Sequence, residues 1–310
     1  MVMVPALDNI QTINRSETLH NVLAPTLASS AMLIELNISH WIGSKKDKRA
    51  SDEVAHSNNA IKGSVRAIKD LLHDNADLRA VTRHVSATRD MHSHMTLPWS
   101  NSGLRLVSTA QYFKYNQAMT EMQNEFERLV SAVLTNYNDA VIDMQLKLGH
   151  LFSHDDYPTL EELTRKFRFK LSYMPLPDSG DFRVDIGNEA LAEMKQKYEE
   201  FYTEQYERAM NDVWTRLHKY LQKMSERLDY KEHEKKKIFR DTLVGNVNEM
   251  IELLRGCNVT NSVQMRAMAD NLEEAMSGVT PDALREDSTF RAETKAAVDK
   301  AISALPSLDI

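Results

Sequence analysis

Two histidines separated by one residue, His92 and His94, stand in the stretch Met91-His92-Ser93-His94-Met95-Thr96-Leu97-Pro98-Trp99. Imidazoles ligate zinc, iron and manganese, so the pair raises the prospect of a metal-dependent enzyme or factor. On an extended strand a His-x-His pair puts both rings on one side, whereas on a helix they stand about 200° apart. Further ligands would have to come from His84, His154 or the Asp155-Asp156 pair. The chain has no His-Glu-x-x-His pattern and no cysteine cluster, so the pair meets none of the more specific metal patterns. A histidine in the last turn of a helix also gains from the helix dipole, which accounts for such a residue without any metal.

Other chemistry finds less support. Cys257 is the single cysteine, which excludes an intrachain disulfide, and it follows a glycine at a helix end. Neither a Gly-x-Ser-x-Gly elbow nor a phosphate-binding glycine loop occurs. Asp178, Asp181 and Asp185 lack the spacing and terminal glutamate of a calcium loop, and Pro177-Asp178-Ser179-Gly180-Asp181 reads as turn chemistry. Lys45-Lys46-Asp47-Lys48-Arg49 reads as the solvated start of a helix, and as the one place where a local basic surface could meet nucleic acid. A net charge of −7 and a pI near 5.9 argue against nucleic acid as a general partner. No catalytic residue and no cofactor is expected.

The elements that must position these residues are mostly helical. Nine glycines and eight prolines in 310 residues favour long regular elements over many turns. No run of eighteen apolar residues and no secretory leader is visible, so the expectation is a cytoplasmic protein with no membrane partner. Ile34, Leu36 and Ile38 alternate as in a strand. Ile61, Val65, Ile68 and Leu72 predict a helix over 58–72, and Leu78, Val81, Val85 and Thr88 predict a second one reaching Met91 or His92. Pro98 then closes the segment.

Two longer patterns dominate. One runs over about 108–152 through Met119, Phe126, Val133, Tyr137, Met144 and Leu148; the other covers about 188–229 through Tyr198, Phe201, Tyr206, Met210, Val213 and Leu217. The step from Phe201 to Tyr206 is five residues, an interruption of the regular spacing. The simplest packing for two such stripes is a long antiparallel helical hairpin. Thr159 and Glu162 predict a capping box, and alternation over about 167–186 predicts a small β-hairpin at the tip. The resulting fold class is mainly α. An N-terminal α(+β) segment over 1–107 packs on the base, the hairpin and its tip span 108–230, and C-terminal helices occupy 231–310 as a bundle of shorter helices.

Three segments together carry a resemblance: Leu36-Asn37-Ile38-Ser39-His40-Trp41-Ile42-Gly43-Ser44-Lys45-Lys46; Thr96-Leu97-Pro98-Trp99 with Gly103-Leu104-Arg105; and Pro175-x-Pro177 with Gly180-Asp181-Phe182-Arg183-Val184. Over roughly residues 30–230 the chain resembles a bacteriophage and bacterial family of uncharacterised domains. Its members are often encoded beside a MoxR-like, cobaltochelatase-like AAA+ ATPase and a von Willebrand A domain protein. The family supplies no catalytic residues to transfer. The resemblance implies a phage protein in the infected bacterium's cytoplasm, an adaptor or client of such an ATPase. The expected function is therefore a non-enzymatic interaction scaffold that is also a homo-oligomer, its long apolar stripes being more than one chain can cover. Asp178, Asp181, Phe182, Arg183, Tyr198 and Phe201 are the expected contact residues, with Trp41, Pro98 and Trp99 as structural anchors.

Overall fold

The computed structural model describes residues 29–176, 188–230, 241–258 and 262–306. In chain order the elements are β1 (Ala31–Ser39), β2 (Ser44–Asp47), α1 (Lys48–Ser57), β3 (Ala67–Asp70), α2 (Ala76–Met95), β4 (Leu97–Pro98), β5 (Arg105–Ser108), α3 (Tyr112–Leu148), α4 (Leu160–Arg165), β6 (Arg168–Pro175), α5 (Asn188–Leu228), α6 (Thr242–Cys257), α7 (Val263–Met276), α8 (Pro281–Glu286) and α9 (Ser288–Ser303). The protein is mainly helical, as expected. No helix among the described residues is long and apolar enough to cross a membrane.

The chain divides into two compact units. The first comprises Glu35–His94 and Lys114–Ser172; the second comprises the described residues of Met1–Ile34, Met95–Phe113 and Tyr173–Ile310. The expected N-terminal segment is thus shared between them, and the C-terminal helices fall in the same unit as α5. β4, β5, β1 and β6 lie in that order in one sheet, with Ala31 opposite Ser108, Ile34 opposite Arg105, and Leu97 opposite Leu106. The strand expected around 33–42 is therefore present as β1, with β6 as its neighbour. The second strand of the expected tip hairpin, with Asp178, Asp181, Phe182 and Arg183, lies outside the described residues.

In the first unit, α2 buries Leu78, Val81, Val85 and Thr88, the stripe its spacing requires. Val81 and Val85 pack with Ile38 and with Phe126 and Val133 of α3; Trp41, Leu71 and Leu78 pack with Tyr137, Met144 and Leu163. α3 gives way to a 3-10 turn at Gly149, whose φ of +50° lies in the left-handed region that a residue with a Cβ resists. α4 begins at the expected capping box. Thr159 accepts from the Glu162 amide at 3.3 Å, and the Glu162 carboxylate accepts from the Thr159 amide at 2.9 Å.

The helix expected over 58–72 is absent. Ile61 and Ile68 are 83% and 72% exposed, Gly63 turns the chain at φ +90°, and β3 follows. The apolar spacing matched a helical period by coincidence, and the glycine sets the path instead.

In the second unit, α5 buries Tyr202, Ala209, Val213, Leu217, Leu221, Met224 and Leu228 against Val247 and Leu254 of α6, Met268 and Leu272 of α7, and Val298 of α9. Each large aliphatic side chain removed from water in this way contributes about 1.5–3 kcal/mol. The buried row steps by three and four through Tyr202, Gln205, Ala209 and Val213. The five-residue interruption expected at Phe201 does not occur, because helical geometry selects Gln205 and Ala209 over their larger neighbours. Phe126, Val133, Tyr137 and Met144 of α3 cluster within the first unit, and the buried apolar residues of α5 cluster within the second.

Leu217→Ala is expected to cost about 2–5 kcal/mol in urea unfolding, from lost burial and the cavity left behind. Ile61→Ala, at a position the periodicity placed in a core, should change stability by no more than about 0.5 kcal/mol.

Candidate functional site

α2 continues as a helix through Met95, so His92 and His94 diverge. His92 is 7% exposed, and its Nδ1 lies 2.7 Å from the hydroxyl of Tyr115, which is wholly buried. His94 is exposed, and its Nδ1 donates to the Asp90 carbonyl at 2.7 Å. The further ligands considered with them sit elsewhere: His84 Nε2 donates to the Met122 carbonyl at 2.8 Å, and the His154 ring packs edge-on against Phe152. Among the described residues, no group of three or more His, Cys, Asp or Glu is placed to hold a metal ion.

The anchors occupy core positions. Trp41 meets Tyr137 edge to face at 5.9 Å in the first unit, and Trp99 meets Tyr202 at 5.2 Å in the second. Pro98 sits in β4 opposite Arg105, whose guanidinium donates to the Thr96 hydroxyl at 2.6 Å and the Thr96 carbonyl at 2.8 Å. Thr96-Leu97-Pro98-Trp99 and Gly103-Leu104-Arg105 are therefore the two sides of one tight hairpin, turned by Gly103 at φ +96°. Of the remaining contact candidates, Tyr198 packs half-buried against Tyr202, while Phe201 is 44% exposed.

Two features went unnoticed in the sequence. The first is aromatic: Tyr112 touches both Phe113 and Tyr173 edge to face, at 5.4 and 5.6 Å, and Phe113 is 80% exposed. Ile142 and Leu146, one turn apart on α3, are similarly exposed at 61% and 85%. All three apolar residues of α3 lie off its buried stripe, and that displacement was the available signal.

The second is a charged basin on the first unit. β2 and β3 pair antiparallel with Lys45 opposite Lys69 and Lys46 opposite Ile68. Strand alternation turns Ser44, Lys46, Ile68 and Asp70 to solvent and puts Lys45, Asp47 and Lys69 on the other face. Two lysines directly opposite would repel. Asp156 bridges them, with Oδ1 2.9 Å from Lys45 Nζ and Oδ2 2.6 Å from Lys69 Nζ. Lys69 also meets Asp47 at 3.1 Å and the Leu151 carbonyl at 2.5 Å, while Arg49 donates to the His150 carbonyl at 3.0 Å. These cations lie just past the C-terminal end of α3, where carbonyls are short of partners and the dipole favours positive charge.

No protein-family model, curated protein or solved structure matches the chain. What the site can do is therefore argued from its own geometry. The basin encloses about 370 Å³, and its lining includes Lys45, Lys46, Lys48, Arg49, Lys69 and His150. A cavity of about 460 Å³ between α7 and α9 is lined by Ala275, Phe290, Ala297 and Ala301, with Glu274, Glu293 and Lys300.

Burial pushes the Asp156 carboxyl up, but hydrogen bonds from Lys69 and Lys45 outweigh it and hold the group below its ordinary 3.8. Asp47 is lowered too, first by the Ala50 amide and then by Lys69. Burial opposes the charge on Lys69, yet its two carboxylates raise it above 10.5. Depressed carboxylates stabilise the fold above their unfolded values, and that stability is lost as pH falls through the folded ones. The raised lysine stabilises below its unfolded value and loses that contribution as pH rises through the folded one.

Stability should therefore be level from about pH 5 to about pH 10, and urea midpoints should fall on either side. Lys69→Met, which removes the ion-pair partner of Asp47 and one of the two partners of Asp156, should lower stability by about 2 kcal/mol at neutral pH and flatten the loss on acidification.

Proposed function

We propose that the chain is a non-catalytic interaction subunit that engages a partner protein through the aromatic cluster of Tyr112, Phe113 and Tyr173. The carrying observation is Phe113, 80% exposed at the start of α3 and braced from behind by Tyr112, itself in edge contact with Tyr173. Burying such a ring against a partner gains apolar area with little ordering cost, because its neighbours already hold it. Aromatic anchors of this kind dominate the energetics of protein interfaces. Ile142 and Leu146 offer a separate apolar contact on the first unit.

The partner in this reading is a MoxR-like AAA+ ATPase, and the setting is the cytoplasm of a phage-infected bacterium. The support for both is the sequence resemblance carried by the segments around Trp41, Trp99 and Pro175. The protein serves as adaptor or client, and self-association through the exposed α3 residues is part of the same proposal. The expected contacts at Asp178, Asp181, Phe182 and Arg183 remain with it as a second surface.

The test is co-purification of the full chain with a MoxR-like AAA+ ATPase, in the presence and absence of ATP. Complex formation that weakens at least tenfold in Phe113→Ser, with the urea transition within about 0.5 kcal/mol of the parent, is the expected outcome. Failure to bind in either nucleotide condition removes the ATPase from the reading. Binding untouched by Phe113→Ser removes the cluster.

A further inference from the structure

We propose that the basin between the β2–β3 pair and the segment following α3 binds a compact phosphate-bearing anion, such as the tail of a nucleoside triphosphate or a free polyphosphate. Every residue it uses belongs to the first unit. The charge balance is the first argument. Lys45, Lys48, Arg49 and Lys69 line the basin against two carboxylates, Asp47 and Asp156, which leaves two positive charges uncompensated. This excess stands in a chain whose net charge is −7.

The arrangement of the charges is the second argument. Lys45 and Lys69 are fixed by Asp156 and, for Lys69, by Asp47 and a carbonyl, so they form a neutral, rigid floor. Arg49 is held by the neutral His150 carbonyl and keeps its full charge. Lys48 is exposed and forms no ion pair among the described residues. Asp155 is exposed beside the basin, and Asp52 on α1 is already paired with Lys62 at 3.0 Å.

Ligand size follows from the space. A basin of about 370 Å³ lies near the lower end of the range for small-molecule sites. Several separate cations suit a ligand with several anionic groups better than one carboxylate, and lysine meets phosphate as a point charge. The first amides of α1 take no part, since the Asp47 side chain accepts from the Ala50 amide at 2.9 Å and occupies that end of the helix. The side chains therefore carry the recognition, and the affinity must be salt-sensitive.

The experiment is calorimetric titration of the full chain with tripolyphosphate and with ATP at low salt, and with a single-stranded oligonucleotide in parallel. Saturable, one-to-one binding of tripolyphosphate or ATP is expected. It should weaken at least tenfold in the double variant Lys48→Ala, Arg49→Ala and persist in Lys48→Arg, Arg49→Lys. ATP binding well above tripolyphosphate would identify a nucleotide, and equal binding a free polyphosphate. Absence of saturable binding by both, binding unchanged in the alanine variant, or binding confined to the oligonucleotide would each overturn the proposal. Both substituted residues are exposed and form no ion pair among the described residues, so an unchanged urea transition is expected alongside.

Discussion

A long α-helix in water can bury one stripe, and the period of 3.6 residues decides which one. α3 has 37 residues and α5 has 41, about 55 and 60 Å of helix, so each needs a long row of partners. α5 finds its row in α6, α7 and α9; α3 finds its own in α2 and in the residues around Trp41 and Leu163. Positions far from the buried row face solvent or another molecule. That constraint is why Phe113, Ile142 and Leu146 stand exposed while Tyr115, Met119 and Met144 on the same helix are buried.

The β2–β3 pair obeys a different rule. Its strands are four residues each and its outer face carries Lys46 and Ile68 to solvent, so apolar burial contributes little to its placement. Charge fixes it instead. The side chain of Asp156 is 12% exposed, and it resolves the repulsion between two lysines that the strand register sets face to face. An ion pair of this kind is a poor source of net stability and a good source of position.

Legibility in the sequence followed the same division. Where one regular period or end signal settled the structure, the reading was sound: α2 and the Thr159 capping box lie where spacing and end signals placed them. It failed over 58–72, where a helical coincidence of apolar residues outweighed the warning in Gly63, and along α5, where large side chains were preferred to the true row through Gln205 and Ala209. The basic run Lys45 to Arg49 was visible, but its closure into a basin was not. Lys69 and Asp156 are 87 residues apart, and nothing local to either announces the other. The two histidines were resolved by the question first asked of them, since the helix runs on and the rings part.

The division of the chain also sets an order of birth. All of the first unit lies within residues 35–172, while the hairpin of Thr96 to Arg105 belongs to the second, most of which follows Tyr173. At about 5–20 residues per second a ribosome needs roughly ten to thirty seconds for the rest. During that interval Leu97, Trp99 and Leu106 exist without α5, and the slot that Tyr202 will close around Trp99 has not been made. The nascent chain therefore carries an apolar hairpin that α5 has yet to cover, and quality control in the cell meets that surface first.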